Sequence, residues 1–342
     1  MRTFSRIFCL FCLVLAPLIA HADSSKIVAV LPLSGRLANI GRDLQNAITL
    51  QDTGSVSVVY EDDGFDPKNT VAAVQKSLTD PEVKGFIFFG SGTSLAAKPL
   101  IERSNIPAIA VAMSDKIVEN SQYMFRYYVP AEAQAGRIAQ EINHAGYKNV
   151  IFVVSQQEAM LGFQKYFQGN LAFPTGNYFE VQPGDTDLKS TALKISAMKP
   201  DAICLLLLPP ELQSFAKQIR SIGYKGQFFG PTQIGNPDAA KAAEGALENT
   251  WFTGVDEASE KELISRFRNR FGTNPTSEAL VAYDAAGLLA KAVTSKEPLQ
   301  YFLKPTEFNG IFGANLAFVN PNTLQPPIAL KRIKGVALKQ EG

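Results

Sequence analysis

Three hydroxyls and two glycines stand together in Gly90-Ser91-Gly92-Thr93-Ser94, between an apolar run at 86–89 and a helical pattern at 93–103. The first amides of a helix have no intrahelical acceptor. The aligned peptide dipoles add about half a positive charge at that end. Gly92 would admit a ligand to the backbone, and Ser91, Thr93 and Ser94 would add hydroxyl donors, so the loop suits a carboxylate. The same residues equally suit an ordinary strand-to-helix turn with its N-cap. A phosphate loop is excluded because Leu95 and Ala96 stand where Gly-Lys-Ser/Thr is required, and the third glycine of a dinucleotide fingerprint is missing.

A second edge with chemical potential is Ala112-Met113-Ser114-Asp115, which follows an apolar run at 108–112. Strand ends of open α/β sheets face the ligand crevice, although Asp115 is expected to cap the helix that follows. The acidic run Glu61-Asp62-Asp63-Gly64-Phe65-Asp66 reads as a strand end and a helix cap. It lacks calcium-loop spacing, since Ala73 falls where the closing glutamate belongs. The chain has two histidines, His21 and His144. A serine–histidine–acid triad would have to use His144, and no Gly-x-Ser-x-Gly elbow occurs. A zinc site would have only His144 and Cys204. No enzyme, metal or cofactor is expected.

The elements that would position these edges alternate. Apolar runs at 27–31, 56–60, 86–89 and 108–112 read as strands, with helices at 41–50, from Asp66-Pro67 onward and at 93–103. The pattern restarts: helices at 133–144, 161–171, 188–198 and 211–222 alternate with strands at 150–154, 177–181, 202–208 and 227–230. Helices at 260–271 and 277–293 and short strands over 317–336 complete the chain. Short apolar strands between helices imply parallel sheets covered on both faces. The class is therefore α/β, with two similar Rossmann-like units meeting near 126–130. No low-complexity linker separates them, which argues for several chain crossings.

The N-terminus reads as a secretory signal peptide over 1–22. Arg2 and Arg6 precede an apolar run at 7–19, shorter than the roughly 20 residues of a membrane span, and Ala20-His21-Ala22 offers small residues for cleavage near Ala22. Its removal takes Cys9 and Cys12, leaving Cys204 as a buried apolar filler. Loss of Arg2 and Arg6 moves the formal charge from +1 to −1. No basic stripe remains for nucleic acid, and no further stretch is long enough for membrane insertion. The expected compartment is the periplasm.

Several segments, in order, resemble the type I periplasmic binding proteins of the leucine/isoleucine/valine-binding kind. They are Val30-Leu-Pro-Leu-Ser-Gly35 with Gly41, Tyr60-Glu-Asp-Asp-Gly64 with Asp66-Pro67, and Phe125-Arg126. Further along come Asp201-Ala202-Ile203 with Pro210-Glu211, Gln218 and Gly223, then Gly230-Pro231, and Phe308-Asn-Gly-Ile-Phe-Gly313 with Phe318. The resemblance implies two lobes joined by a three-crossing hinge: 23–127 with 253–329, and 128–252 with 330–342. It implies a small-molecule ligand held between them and an ABC transporter permease as partner.

The resemblance also places a ligand carboxylate at Ser91 and Thr93, and amino-group contacts at Ala112 and Ser114. The second lobe departs from the amino-acid-binding pattern. Thr232 stands where the resemblance expects an acid, and Leu208 and Leu161 stand where it expects aromatic residues. An ammonium buried there would lack its charge partner. Glu158 or Asp115 would have to replace that acid, or the ligand carries no ammonium. The expected ligand is a carboxylate with an apolar or aromatic body, walled by Ile40 and contacted by Tyr128, while Tyr127 divides between ring contact and hinge packing. The alternatives are an amino-acid binder with a relocated acid, and a periplasmic sensor or regulator acting on a receptor or cell-wall partner.

Overall fold

The computed structural model describes residues 25–174, 177–256, 261–297, 310–312, 317–320, 322–335 and 337–340. The expected signal peptide, Phe308 and Gly313 lie outside them. The first half of the chain builds β1 (Lys26–Leu31), α1 (Ala38–Leu50), β2 (Ser57–Asp62), α2 (Pro67–Ser77), β3 (Val83–Phe89), α3 (Ser91–Ser104), β4 (Ala108–Val111) and β5 (Met124–Tyr127). The restart builds α4 (Ala131–His144), β6 (Val150–Ser155), α5 (Glu158–Leu161), α6 (Phe163–Asn170), β7 (Tyr178–Val181), α7 (Lys189–Ala197), β8 (Ala202–Leu206), α8 (Glu211–Ser221) and β9 (Gln227–Gly230). Then follow α9 (Pro237–Ala242), β10 (Trp251–Val255), α10 (Lys261–Phe271), α11 (Ser277–Thr294), β11 (Ala317–Asn320), β12 (Thr323–Gln325), β13 (Ile328–Lys334) and β14 (Ala337–Gln340).

The strands form two sheets, ordered β11-β12-β5-β4-β3-β1-β2 and β14-β13-β10-β9-β8-β6-β7. Within each sheet the five strands from the α/β repeat pair in parallel, and the antiparallel pairs are confined to the late strands. The chain changes sheet after β5, after β10 and after β12, which gives three crossings. Thr253 and Ala329, read from the sequence as the limits of the returning segment, lie inside β10 and β13 of the second sheet. Three strands were not expected, and one of them, β14, lies beyond the pieces read over 317–336. β5 carries a buried arginine in its middle, and β10 is paired on one side by β13 from far along the chain. The helix expected over 161–171 divides at Gly162 into α5 and α6.

Both faces of the first sheet are covered, as buried parallel strands require. Along β1, Ile27, Ala29 and Leu31 enter the core shared with Leu44 and Ile48 of α1 and Leu288 and Leu289 of α11. Val28 and Val30 point to the opposite core, with Val74 of α2 and Ala97 and Ile101 of α3. The helix starts are chemically explicit. Asp66 accepts from the Lys68 amide ahead of Pro67, and Thr276 caps α11 through the Ala279 amide. Asp62 accepts from the amides of Leu33, Ser34 and Gly64, so the acidic run ties the loops after β1 and β2 together. Burial raises its carboxyl, yet hydrogen bonds from Ser34, Gly64 and Leu33 outweigh that and hold it below the usual range. Cys204 is fully buried in β8, and burial pushes its thiol up, away from reactivity. Among the described residues no helix is long and apolar enough to cross a membrane.

Candidate functional site

In each sheet the order reverses beside the first strand of its repeat, β1 in one and β6 in the other. Ligands of open α/β sheets bind beyond the strand ends at such a switch point. The pairing of Phe89 with Val111 sets Gly90 beside Ala112 at one edge. The Gly90 amide donates to the Val111 carbonyl at 3.2 Å, and the Ser114 amide donates to Ser91 Oγ at 3.2 Å. Gly90 has φ +91°, and a Cβ there would stand 2.5 Å from the Phe65 ring, so glycine is required on two counts. No side chain caps α3. The hydroxyls of Thr93 and Ser94 turn back to the Gly90 carbonyl, and Thr93 also reaches the Phe89 carbonyl. That leaves the opening amides of α3 for an outside acceptor. Ser91 Oγ is engaged as an acceptor, and its proton has no acceptor among the described residues.

Between the lobes this edge bounds a cavity of about 40 Å³. Its walls in the first lobe are Leu37 and Ile40 from the start of α1, Phe65 and Phe89, Val111 at the end of β4, and Ala112 and Met113 just past it. Ala159, Leu208 and Gln233 close it from the second lobe. Tyr128 at the hinge and Glu278 on α11 complete it, and the Tyr128 hydroxyl donates to Glu278 Oε1 at 2.8 Å. A cavity that accepts benzene holds about 150 Å³, so the lobes as they stand leave no room for a ring.

Of the expected site residues, Ile40, Ser91, Ala112, Tyr128 and Leu208 meet at this cavity. The others do not. Gly92 lies one residue further along α3, in open space. Thr93 spends its hydroxyl on the backbone. Ser114 and Leu161, the latter 40% exposed, line a separate outer groove, and Ala159 takes the place expected of Leu161. Thr232 is buried, its amide donates to Gln134 Oε1 at 3.1 Å, and its neighbour Gln233 faces the cavity instead. Tyr127 is hinge packing, with its hydroxyl on Asp284.

The two acids weighed as replacements serve elsewhere. Asp115, expected to cap, reaches across to α6 and accepts from Lys165 Nζ and the Tyr166 hydroxyl, both at 2.6 Å. Burial raises its carboxyl, but those two donors win and hold it below the usual range. Glu158 pairs with Lys116 at 2.9 Å. The acid at the cavity is Glu278, which sequence reasoning passed over along with Phe65, Phe89, Met113 and Gln233. Gln233 and Met113 had local signals, since Gln233 adjoins Thr232 after the Gly230-Pro231 turn and Met113 stands between Ala112 and Ser114.

Further bonds hold the lobes together. Arg36 donates to the Pro209 carbonyl at 3.1 Å and to Gln157 Oε1 at 3.0 Å while lying over the Phe65 ring. Asn39 donates to Asp238 Oδ2 at 2.6 Å. The Asn39–Asp238 contact borders a larger chamber of about 760 Å³ that also presents Arg42, Asp43, Arg268 and Lys331.

Burial, with Asp238 and Glu278 adding repulsion, pushes the Asp43 carboxyl up from 3.8 to about 7, against the opposing effects of the Thr276 backbone and Arg42. Between those values the folded chain holds a proton that the unfolded chain has released. The contribution of Asp43 to stability therefore falls as pH rises through this window and is least above pH 7. Urea denaturation is expected to give a higher midpoint at pH 6 than at pH 8, and Asp43→Asn should remove most of that difference. A variant that keeps the whole difference would show that another group produces it.

Residues 24–314 match the family described as periplasmic binding protein. The chain is 24% identical over 315 residues to the leucine-specific-binding protein of Salmonella typhimurium, covering 85% of each. In fold it is similar to a branched-chain amino acid substrate-binding protein of Streptococcus pneumoniae solved with isoleucine. That match has a TM-score of 0.85 at 19% identity and covers 92% of this chain and 98% of the other. It is also similar to an ABC transporter solute-binding protein of R. palustris solved with benzoate, with a TM-score of 0.82 at 18% identity over 93% and 96% of the two chains. With sheet order, facing strand ends and the match agreeing, the chain belongs to the periplasmic binding protein family.

Proposed function

We propose that this protein is a periplasmic solute receptor whose lobes close on a small carboxylate with an apolar or aromatic body, for delivery to the membrane permease of an ABC transporter. The observation that carries this reading is the uncapped start of α3, with the Ser91 hydroxyl beside it, opening on a mainly apolar cavity whose other polar wall groups are Tyr128, Gln233 and Glu278. Unpaired amides in a low-dielectric setting favour an anion, and the apolar walls reward burial of the ligand body. The similar proteins solved with isoleucine and with benzoate are in keeping with a ligand of this size. The ligand enters with the lobes further apart, and closure follows from its preference for the closed form.

Thermal-shift measurements on the mature protein test this with benzoate, 4-methylpentanoate, leucine and benzamide. A ligand at a hundred times its Kd adds about 2.7 kcal/mol of stability. The two acids are expected to raise the melting temperature, while benzamide is not; a leucine response would assign Glu278 as the relocated acid of an amino-acid binder. Ser91→Ala should abolish the response and Thr93→Ala should spare it. A benzamide response equal to that of benzoate would refute the carboxylate anchor.

One observation favours a second reading, a sensor or regulatory protein of the same fold: the cleft is largely filled by the chain's own side chains, with about 40 Å³ left. Under that reading no acid shifts the melting temperature, and the closed lobes themselves are the surface recognised by a receptor.

A further inference from the structure

One exposed cation stands outside the cavity and ties its two halves together. Arg36 directly precedes Leu37 of the first-lobe wall, and its guanidinium lies 5.1 Å over the ring of Phe65, another residue of that wall. Its Nη1 donates to the Pro209 carbonyl at 3.1 Å and its Nη2 to Gln157 Oε1 at 3.0 Å, both in the second lobe. Pro209 follows Leu208, and Gln157 stands just before Glu158 and Ala159, so both acceptors adjoin wall residues of that lobe. Glu211 is fully buried at the start of α8 in the same lobe. Its Oε1 accepts from the Gly184 amide, and its Oε2 is buried with no hydrogen-bond partner. Burial raises this carboxyl, and the Gly184 amide and the Arg36 charge act against that.

Resting on the proposed solute-receptor reading, we infer that Arg36 is the gate of the cavity, a positioning residue that holds the lobes shut over the solute without touching it. Arg36 is not among the residues that line the cavity. It travels with Phe65 and the first lobe, whereas Pro209, Gln157 and Glu211 travel with the second. Separation of the lobes therefore breaks both hydrogen bonds and withdraws the cation from Glu211 in one movement. Interactions present only with the lobes together act mainly on the off-rate. A guanidinium suits the place because its flat face covers the ring while its edge reaches two acceptors at once. An ammonium is a point charge and cannot do both.

Stopped-flow off-rates of benzoate and 4-methylpentanoate test the assignment. Arg36→Ala is expected to speed release by about 10-fold, by the same factor for both acids, with the urea midpoint unchanged. Arg36→Lys should restore little of the loss. Gln157→Ala should speed release by less, and should add little once Arg36 is gone. Lys116→Ala is the control, since its ion pair with Glu158 at 2.9 Å also joins the lobes but is partly exposed; release should change by about two-fold or less. Unchanged release in Arg36→Ala, or equal acceleration in Lys116→Ala, overturns the gate. Full rescue by Arg36→Lys, or a factor that differs between the acids, would make Arg36 a ligand contact and also overturn it. If neither acid binds the wild type, the carboxylate reading falls, and the gate is decided on the ligand-free protein with spin labels at Lys68→Cys on α2 and Lys189→Cys on α7. Arg36→Ala is then expected to shift the inter-label distance, and an unchanged distance overturns the gate.

Discussion

Arg126→Met is expected to lower the stability of the protein by about 3 kcal/mol, seen as a fall in the urea midpoint. The Arg126 side chain is fully buried in β5 and serves three elements at once. Its guanidinium donates to the Met113 carbonyl at 2.6 Å, to Thr323 Oγ1 at 3.3 Å and to Glu132 at 3.0 Å. Methionine fills much of the space but strands the other groups. Breaking a buried pair by removing one partner costs about 3–5 kcal/mol, and Glu132 would keep one oxygen, Oε2, buried without a hydrogen-bond partner. Because Met113 lines the cavity, ligand affinity should fall as well. Arg126→Met with Glu132→Gln should recover part of the stability, since no unpaired charge is then left. A single variant as stable as the wild type would mean that the buried guanidinium contributes nothing net.

Gly41→Ala should be more damaging still. A Cβ at this position would stand 2.0 Å from the Pro32 carbonyl oxygen and 2.5 Å from its carbon, both backbone atoms. Neither can swing aside as a side chain would, so α1 must move off the turn that follows β1. Overpacking typically costs about 1–3 kcal/mol, and a backbone clash this deep belongs at or beyond the upper end. The displacement carries Leu37 and Ile40 away from the cavity, so weak ligand binding should accompany low stability. Gly92→Ala is the control. Its Cβ meets nothing within 4 Å, and alanine in a helix gains about 0.5–1 kcal/mol over glycine. Similar melting temperatures for the two variants would contradict the close approach of α1 to the Pro32 turn.

The same atoms explain why some features were legible in the sequence and others were not. The α/β alternation could be read because strands buried on both faces are uninterrupted apolar runs, and the start of α2 because Asp66-Pro67 states a cap chemically. Gly41 stood out in a motif, although only the structure supplies its reason. β5 was hidden by Arg126, whose charge reads as a break until the partners at 113, 132 and 323 are in place. β10 was hidden because its antiparallel mate β13 lies far along the chain.

At the site, the edges carrying Ser91 and Ala112 were legible as strand ends, which the fold class brings to the crevice, while the ligand role of Ala112 and the choice of Leu208 came from the family resemblance. Leu161 and Thr232 fell beside the residues that face it, Ala159 and Gln233, because short helical turns do not disclose which side chain points inward. Glu278 had no local mark at all. It enters the cavity because α11 lies against α1, a tertiary fact with no trace in its own neighbourhood.

The crystal structure of the complex with the most stabilising acid tests the central claim directly. The account predicts its carboxylate oxygens within about 3 Å of the opening amides of α3 and of Ser91 Oγ, with its body against Phe65, Phe89 and Leu208. An acid held instead in the outer chamber by Arg42, Arg268 and Lys331, with the α3 amides untouched, would contradict it.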